Sequence, residues 1–159
     1  MSRTRGGLAA LLTAAALIAP AALAAPAHAS TTESGCTVTP HKPTATGDLA
    51  SNGQKEISYK LDISCSAGRS VYVTEERWEN DNFSSDDFLG STPYNIHFNG
   101  TTTVTKNWVQ ALPTDGVGEG SDYAEVYESV SFYVVSDGNP PVTSPSTWWE
   151  FSPTASIRE

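Results

Sequence analysis

The densest chemistry in this sequence lies in Glu79-Asn80-Asp81-Asn82-Phe83-Ser84-Ser85-Asp86-Asp87-Phe88-Leu89-Gly90. Four carboxylates, those of Glu79, Asp81, Asp86 and Asp87, fall within nine residues there. Gathering them costs repulsion unless water screens the charge or a cation neutralises it. Hard oxygen ligands on a loop suit calcium (Ca2+), which accepts about six to eight of them. An EF-hand is excluded, because glycine is missing from the sixth place and glutamate from the twelfth. Two readings stay open: a calcium loop with Glu79, Asp81, Asp86 and Asp87 as ligands, or a solvated acidic turn.

The same residues resemble the third calcium-binding loop of the conserved-region-two domain, the β-sandwich of protein kinase C and synaptotagmin. That loop reads Asp-x-Asp-x-x-x-x-x-Asp-aromatic-aliphatic-Gly after a strand ending in an aromatic residue. Trp78 precedes the stretch here, Glu79, Asp81 and Asp87 take the acidic places, and Phe88, Leu89 and Gly90 complete it. Lys55-Glu56-Ile57-Ser58-Tyr59-Lys60 and Lys106-Asn107-Trp108 are similar to the flanking strands of that family. The resemblance runs from Lys55 to Val135 and implies a sandwich that holds calcium. Asp48 is the nearest counterpart of the family's first-loop aspartates, and Glu79 is one methylene longer than the residue it replaces.

The elements that must position this loop are strands. From Lys55 to Cys65, Ile57, Tyr59, Leu61, Ile63 and Cys65 alternate with Glu56, Ser58, Lys60, Asp62 and Ser64. That is the pattern of a strand with one buried face. A second strand is expected over Ser70–Trp78, after the turn-like Ser66-Ala67-Gly68, and the acidic loop follows it. Asn99-Gly100 predicts a two-residue hairpin between Tyr94–Phe98 and Thr101–Trp108, with Phe98 opposite Thr101 and Ile96 opposite Thr103. The longest strand runs from Tyr123 to Val135, with Val126, Val130, Phe132 and Val134 on one face. It stops at Asp137-Gly138-Asn139-Pro140-Pro141. Short strands around Cys36–Thr39 and Thr147–Phe151 complete the set. The fold class expected is all-β, an antiparallel β-sandwich of about seven to eight strands, immunoglobulin-like or calcium-loop-sandwich-like.

The N-terminus reads as a signal peptide over residues 1–29. Arg3 and Arg5 precede an apolar run from Leu8 to Leu23, and Ala27-His28-Ala29 supplies the small-x-small cleavage site. Residues 30–159 then form a single secreted domain, of a size for one core. No other segment is long and apolar enough to span a bilayer. The alanine, threonine and serine bias points to a bacterial source. Arg3 and Arg5 both lie in the leader, so its removal takes the formal net charge from −9 to −11. Such a surface repels nucleic acid and anionic lipid and suits cationic partners or plain solubility. The two cysteines, Cys36 and Cys65, read as a disulfide in an oxidising compartment. Closing their loop of about 30 residues stabilises by about 3–4 kcal/mol.

Catalytic readings find little support. His41 and His97 neighbour no nucleophile motif, with no Gly-x-Ser-x-Gly, no His-Glu-x-x-His and no reactive cysteine. Glu75, Glu76 and Glu79 imitate a glycosidase carboxylate pair, yet a chain this small rarely builds the deep groove required. The expected function is therefore a secreted, non-catalytic binding module that holds calcium through its acidic loop. The alternative is a domain that binds an extracellular glycan or protein, or inhibits one, through exposed aromatics. For that alternative Trp148 and Trp149 are the stacking candidates, with Trp78 and Trp108 nearby; adjacent strand residues face opposite ways, which places one of the pair in the core.

Overall fold

The computed structural model describes residues 30–81, 85–113 and 123–158. Residues 1–29, 82–84 and 114–122 and Glu159 lie outside the described set. Among the described residues every regular element is a strand, and no helix is long and apolar enough to cross a membrane. In the described residues ten strands form two five-stranded antiparallel sheets in a sandwich: β1 (Thr31–Glu33), β2 (Cys36–Pro40), β3 (Thr44–Leu49), β4 (Lys55–Cys65), β5 (Arg69–Glu79), β6 (Asp87–Phe98), β7 (Thr102–Ala111), β8 (Tyr123–Ser136), β9 (Glu150–Phe151) and β10 (Ala155–Arg158). In the first sheet β4 is central, with β7 along one edge and β2 and β3 sharing the other. In the second sheet β5 lies between β6 and β8, and β9 and β10 share the outer edge of β8.

Alternation sorts the side chains as expected. Ile57, Tyr59, Leu61, Ile63 and Cys65 of β4 are all buried, facing Val126, Val130, Phe132 and Val134 of β8. Cys36 and Cys65 stand directly opposite in the β2–β4 pair and form the disulfide, both fully inside. The bridge therefore ties two neighbouring strands of one sheet, within the larger apolar cluster. A second apolar cluster gathers Ile57, Tyr59, Leu112, Ala124, Val126, Ala155 and Ile157 at the other end.

One local reading is corrected. Asn99-Gly100 does not make a hairpin: Phe98 pairs with Arg69 in one sheet, and Thr102 pairs with Cys65 in the other. A type I′ turn needs positive φ at both central residues, and neither Asn99 nor Gly100 has it. The chain instead crosses from sheet to sheet there, so that both β6 and β7 find long partners. β6 instead pairs with the preceding strand β5, and their facing ends at Glu79 and Asp87 lie in the acidic stretch. A bulge interrupts this pairing beside Arg77 and Trp78.

The C-terminal segment folds back along β8. Backbone N–H groups of Ser144, Thr147 and Ser152 donate to Val134, Phe132 and Glu128. In return, the hydroxyls of Ser144, Thr147 and Ser152 accept from the N–H groups of Val134, Phe132 and Glu128, each at 3.0 Å. Pro145 and Pro153 follow two of these serines and bring no N–H of their own, so the hydroxyls replace strand carbonyls along an irregular edge. This lacing carries Trp149 and Phe151 over the outer face of the sheet.

Candidate functional site

Strand β5 divides its polar side chains between two environments. Val71, Val73, Glu75, Arg77 and Glu79 point into the sandwich, while Tyr72, Thr74, Glu76 and Trp78 point out. Glu128 of β8 lies opposite Arg77 on the inner side. The four inward ionisable groups form a layer between the two apolar clusters. Arg77 Nη1 lies 3.3 Å from Glu75 Oε1, its Nε donates to Gln110 Oε1 at 3.0 Å, and Nη1 donates to Thr92 Oγ1 at 2.9 Å. Its guanidinium also lies 4.8 Å from the centre of the Trp108 ring. Tyr94 donates its hydroxyl to Glu75 Oε2 at 2.6 Å.

This layer carries more carboxyl groups than cations, and protonation of Glu128 lowers the excess. Burial, then the facing charge of Glu75 and a hydrogen bond to it, push the Glu128 carboxyl up to about 9. Glu128 is therefore neutral at pH 7, and its Oε1 accepts the His41 backbone N–H at 3.0 Å. Burial likewise raises the phenol of Tyr59, which faces the layer from β4. Gly90 belongs to the same construction: its φ is 143°, and a Cβ there would lie 3.0 Å from Arg77 Nη2. With Glu75 and Glu128 essentially sealed from solvent, the layer is a structural network out of a ligand's reach.

The outer face of the same sheet is open. A groove of about 400 Å³ is lined by Glu76, Trp78, Asp86, Tyr127, Ser129, Trp149 and Phe151. Trp78 is held by its indole N–H donating to Ser129 Oγ at 3.2 Å and by an edge contact with Phe88, ring centres 5.1 Å apart. Tyr127 lies 6.0 Å from the Phe151 ring and donates its hydroxyl to Asp86 Oδ2 at 2.5 Å. Burial and that bond to Asp86 raise the Tyr127 phenol, so it stays a donor. Farther along the strands a second groove of about 450 Å³ is lined by Tyr72, Thr74, Pro93, Asn95, Ser131, Tyr133 and their neighbours. Tyr72 and Tyr133 stack there with ring centres 4.7 Å apart.

The four proposed calcium ligands are distributed, not gathered. Glu79 faces inward and is buried, whereas Asp86 turns to the outer groove. Asp87 is exposed in register with Glu79, and the Asp81 N–H donates to Asp86 Oδ1 at 3.4 Å. Among the described residues no three His, Cys, Asp or Glu side chains form a group that would hold a metal. This donor set does not fit a calcium cage, because the sheet separates two of its members. Asp48 lies on exposed β3, at the edge of the other sheet. Glu75, Glu76 and Glu79 also fail to share a groove, since the first and last are internal.

Neither Trp148 nor Trp149 enters the core: Trp148 is 92% exposed and Trp149 is 40% exposed, on an irregular segment where strand alternation does not apply. Only Trp149 lines the groove. Trp108 lies on the first sheet, away from it. His41 Nε2 meets Asp62 Oδ2 at 2.8 Å. His97 faces Ser70 Oγ through Nδ1 at 3.0 Å, while its Nε2 lies 3.1 Å from Asn99 Oδ1 and 3.6 Å from Asp137 Oδ2. That serine–histidine–acid sequence stands on open surface, where His97 and Asp137 are 42% and 49% exposed. None of the grooves described above reaches it.

Sequence reasoning missed Glu76, Tyr127, Ser129 and Phe151 as groove residues. Their outward parity on β5 and β8 was a readable signal; the fold-back that brings Trp149 and Phe151 to them was not. Compared with known proteins, the chain matches no family model, no curated protein and no solved structure.

Proposed function

We propose that this protein is a secreted, non-catalytic binding module that recognises a glycan through the aromatic groove on the outer face of β5 and β8. The observation that carries the reading is the convergence of Trp78, Tyr127, Trp149 and Phe151 around Glu76, Asp86 and Ser129. Aromatic faces offer apolar area to the C–H faces of sugar rings, and adjacent carboxylates and hydroxyls receive or give hydrogen bonds to ring substituents. The carboxylates beside the rings are held in place by strand geometry and, for Asp86, by Tyr127, so little ordering is needed on binding. A leader at residues 1–29 and the disulfide agree with an extracellular setting.

The test is calorimetric titration of the full chain with soluble oligosaccharides, alongside its tryptophan fluorescence. Binding that is lost in Trp78→Ala and Trp149→Ala, with melting retained, is the expected result. A ligand whose affinity ignores both substitutions would place recognition elsewhere.

A further inference from the structure

Resting on that reading, we infer that the glycan is an extended amino-sugar chain bearing free amines, lying along β5 and β8 across both grooves. The charge of the site carries the first half of this statement. Glu76 and Asp86 line the first groove, which has no lysine, arginine or histidine among its lining residues. The ion pairs among the described residues engage Asp62, Glu75 and Asp137, and neither groove carboxylate. An ammonium group entering this groove meets two carboxylates and the aromatic side chains of Trp78, Tyr127 and Trp149 together, a combination that favours cations over neutral groups. The net charge of −9 favours the approach of a polycation to the protein as a whole.

The shape of the site carries the second half. Tyr72, Thr74, Glu76 and Trp78 pair across the sheet with Tyr133, Ser131, Ser129 and Tyr127, so the outer positions form one strip. From Tyr72 to Trp78 that strip is about 20 Å long at the rise of a strand. Rings stand at both ends, and Thr74, Ser131 and Asn95 supply hydroxyls and an amide in the second groove. The backbone of β5 is fully engaged with β6 and β8, so a peptide lying on this face finds no ladder to extend. A sugar chain needs none, because it is recognised through ring faces and hydroxyl groups.

The experiment titrates the full chain with a glucosamine hexasaccharide, its fully N-acetylated counterpart and a lysine hexapeptide. The expected order is amine-bearing sugar first, with the acetylated sugar at least about tenfold weaker, as loss of a charge-assisted contact implies. Glu76→Gln and Asp86→Asn should each weaken the amine-bearing sugar by about tenfold and the acetylated one by much less. Tyr72→Ala should weaken the glucosamine hexasaccharide and spare a glucosamine disaccharide titrated as a control. Equal affinity for both sugars, insensitive to Glu76→Gln, would overturn this inference and leave the glycan-binding function standing. A lysine peptide binding as tightly as the amine-bearing sugar would overturn it in favour of a cationic protein partner. Silence towards all three would overturn the inference, while the function would fall only if the wider oligosaccharide titration were silent as well.

Discussion

Glu75 and Glu76 are consecutive in the chain, yet β5 turns them to opposite faces of one sheet and into different physics. On the inner face Glu75, Arg77, Glu79 and Glu128 are withdrawn from water. Each charge there must be met by a partner built into the fold or removed by protonation. On the outer face Glu76 and Asp86 remain in contact with solvent among four aromatic rings. The inner carboxyls are spent on structure, and the outer ones retain capacity for a ligand. For Glu75 and Glu76 the role is decided by strand parity, not by acidity or by the density of carboxylates in the sequence.

The largest effect should come from breaking the inner layer. Arg77→Ala leaves Glu75 without its ion-pair partner in the interior and should cost about 3–5 kcal/mol of stability, read from urea denaturation. Gly90→Ala puts a Cβ against the same guanidinium at a positive φ. It should cost about 1–3 kcal/mol and lower the melting temperature accordingly.

The inner layer should also set the pH dependence of stability. Folded Glu128 keeps its proton up to about 9, against a usual value of 4.5. The unfolded chain releases that proton first, so folding is most favourable below the lower value and weakens as pH rises towards the higher one. The slope contributed by this group is at most about 1.4 kcal/mol per pH unit. Denaturation midpoints measured from pH 5 to pH 9 should fall in the wild type and flatten in Glu128→Gln. On the outer face the same kind of change should barely register in stability: Glu76→Gln should stay within about 0.5 kcal/mol in urea melts.

What the sequence disclosed follows the range of the interactions involved. The alternation from Ile57 to Cys65 defines β4 to the residue, because burial of one face acts at every second position. The disulfide followed from having two cysteines, and the sandwich from the spacing of the strands. Asn99-Gly100 misled because its local turn preference lost to long pairings of β6 with β5 and β7 with β4. The acidic segment looked like one cluster because adjacency in sequence conceals that Glu79 belongs to an inward position. Glu128 shares the parity of Val126 and Val130, so its burial was visible in principle, although a charged residue among valines reads as an interruption. The groove was legible only in part. Trp149 was singled out, but its neighbours depend on the lacing of Ser144, Thr147 and Ser152 to β8, a non-local arrangement.

The most direct measurement is a map of backbone amide and indole N–H resonances as the glucosamine hexasaccharide is added. Shifts should concentrate at Tyr72, Thr74, Glu76, Trp78, Tyr127, Ser131 and Trp149, while those of Glu75, Arg77 and Glu128 move far less. Changes centred on the first sheet or on the edge at β7, with the Trp78 and Trp149 indoles unmoved, would contradict the account.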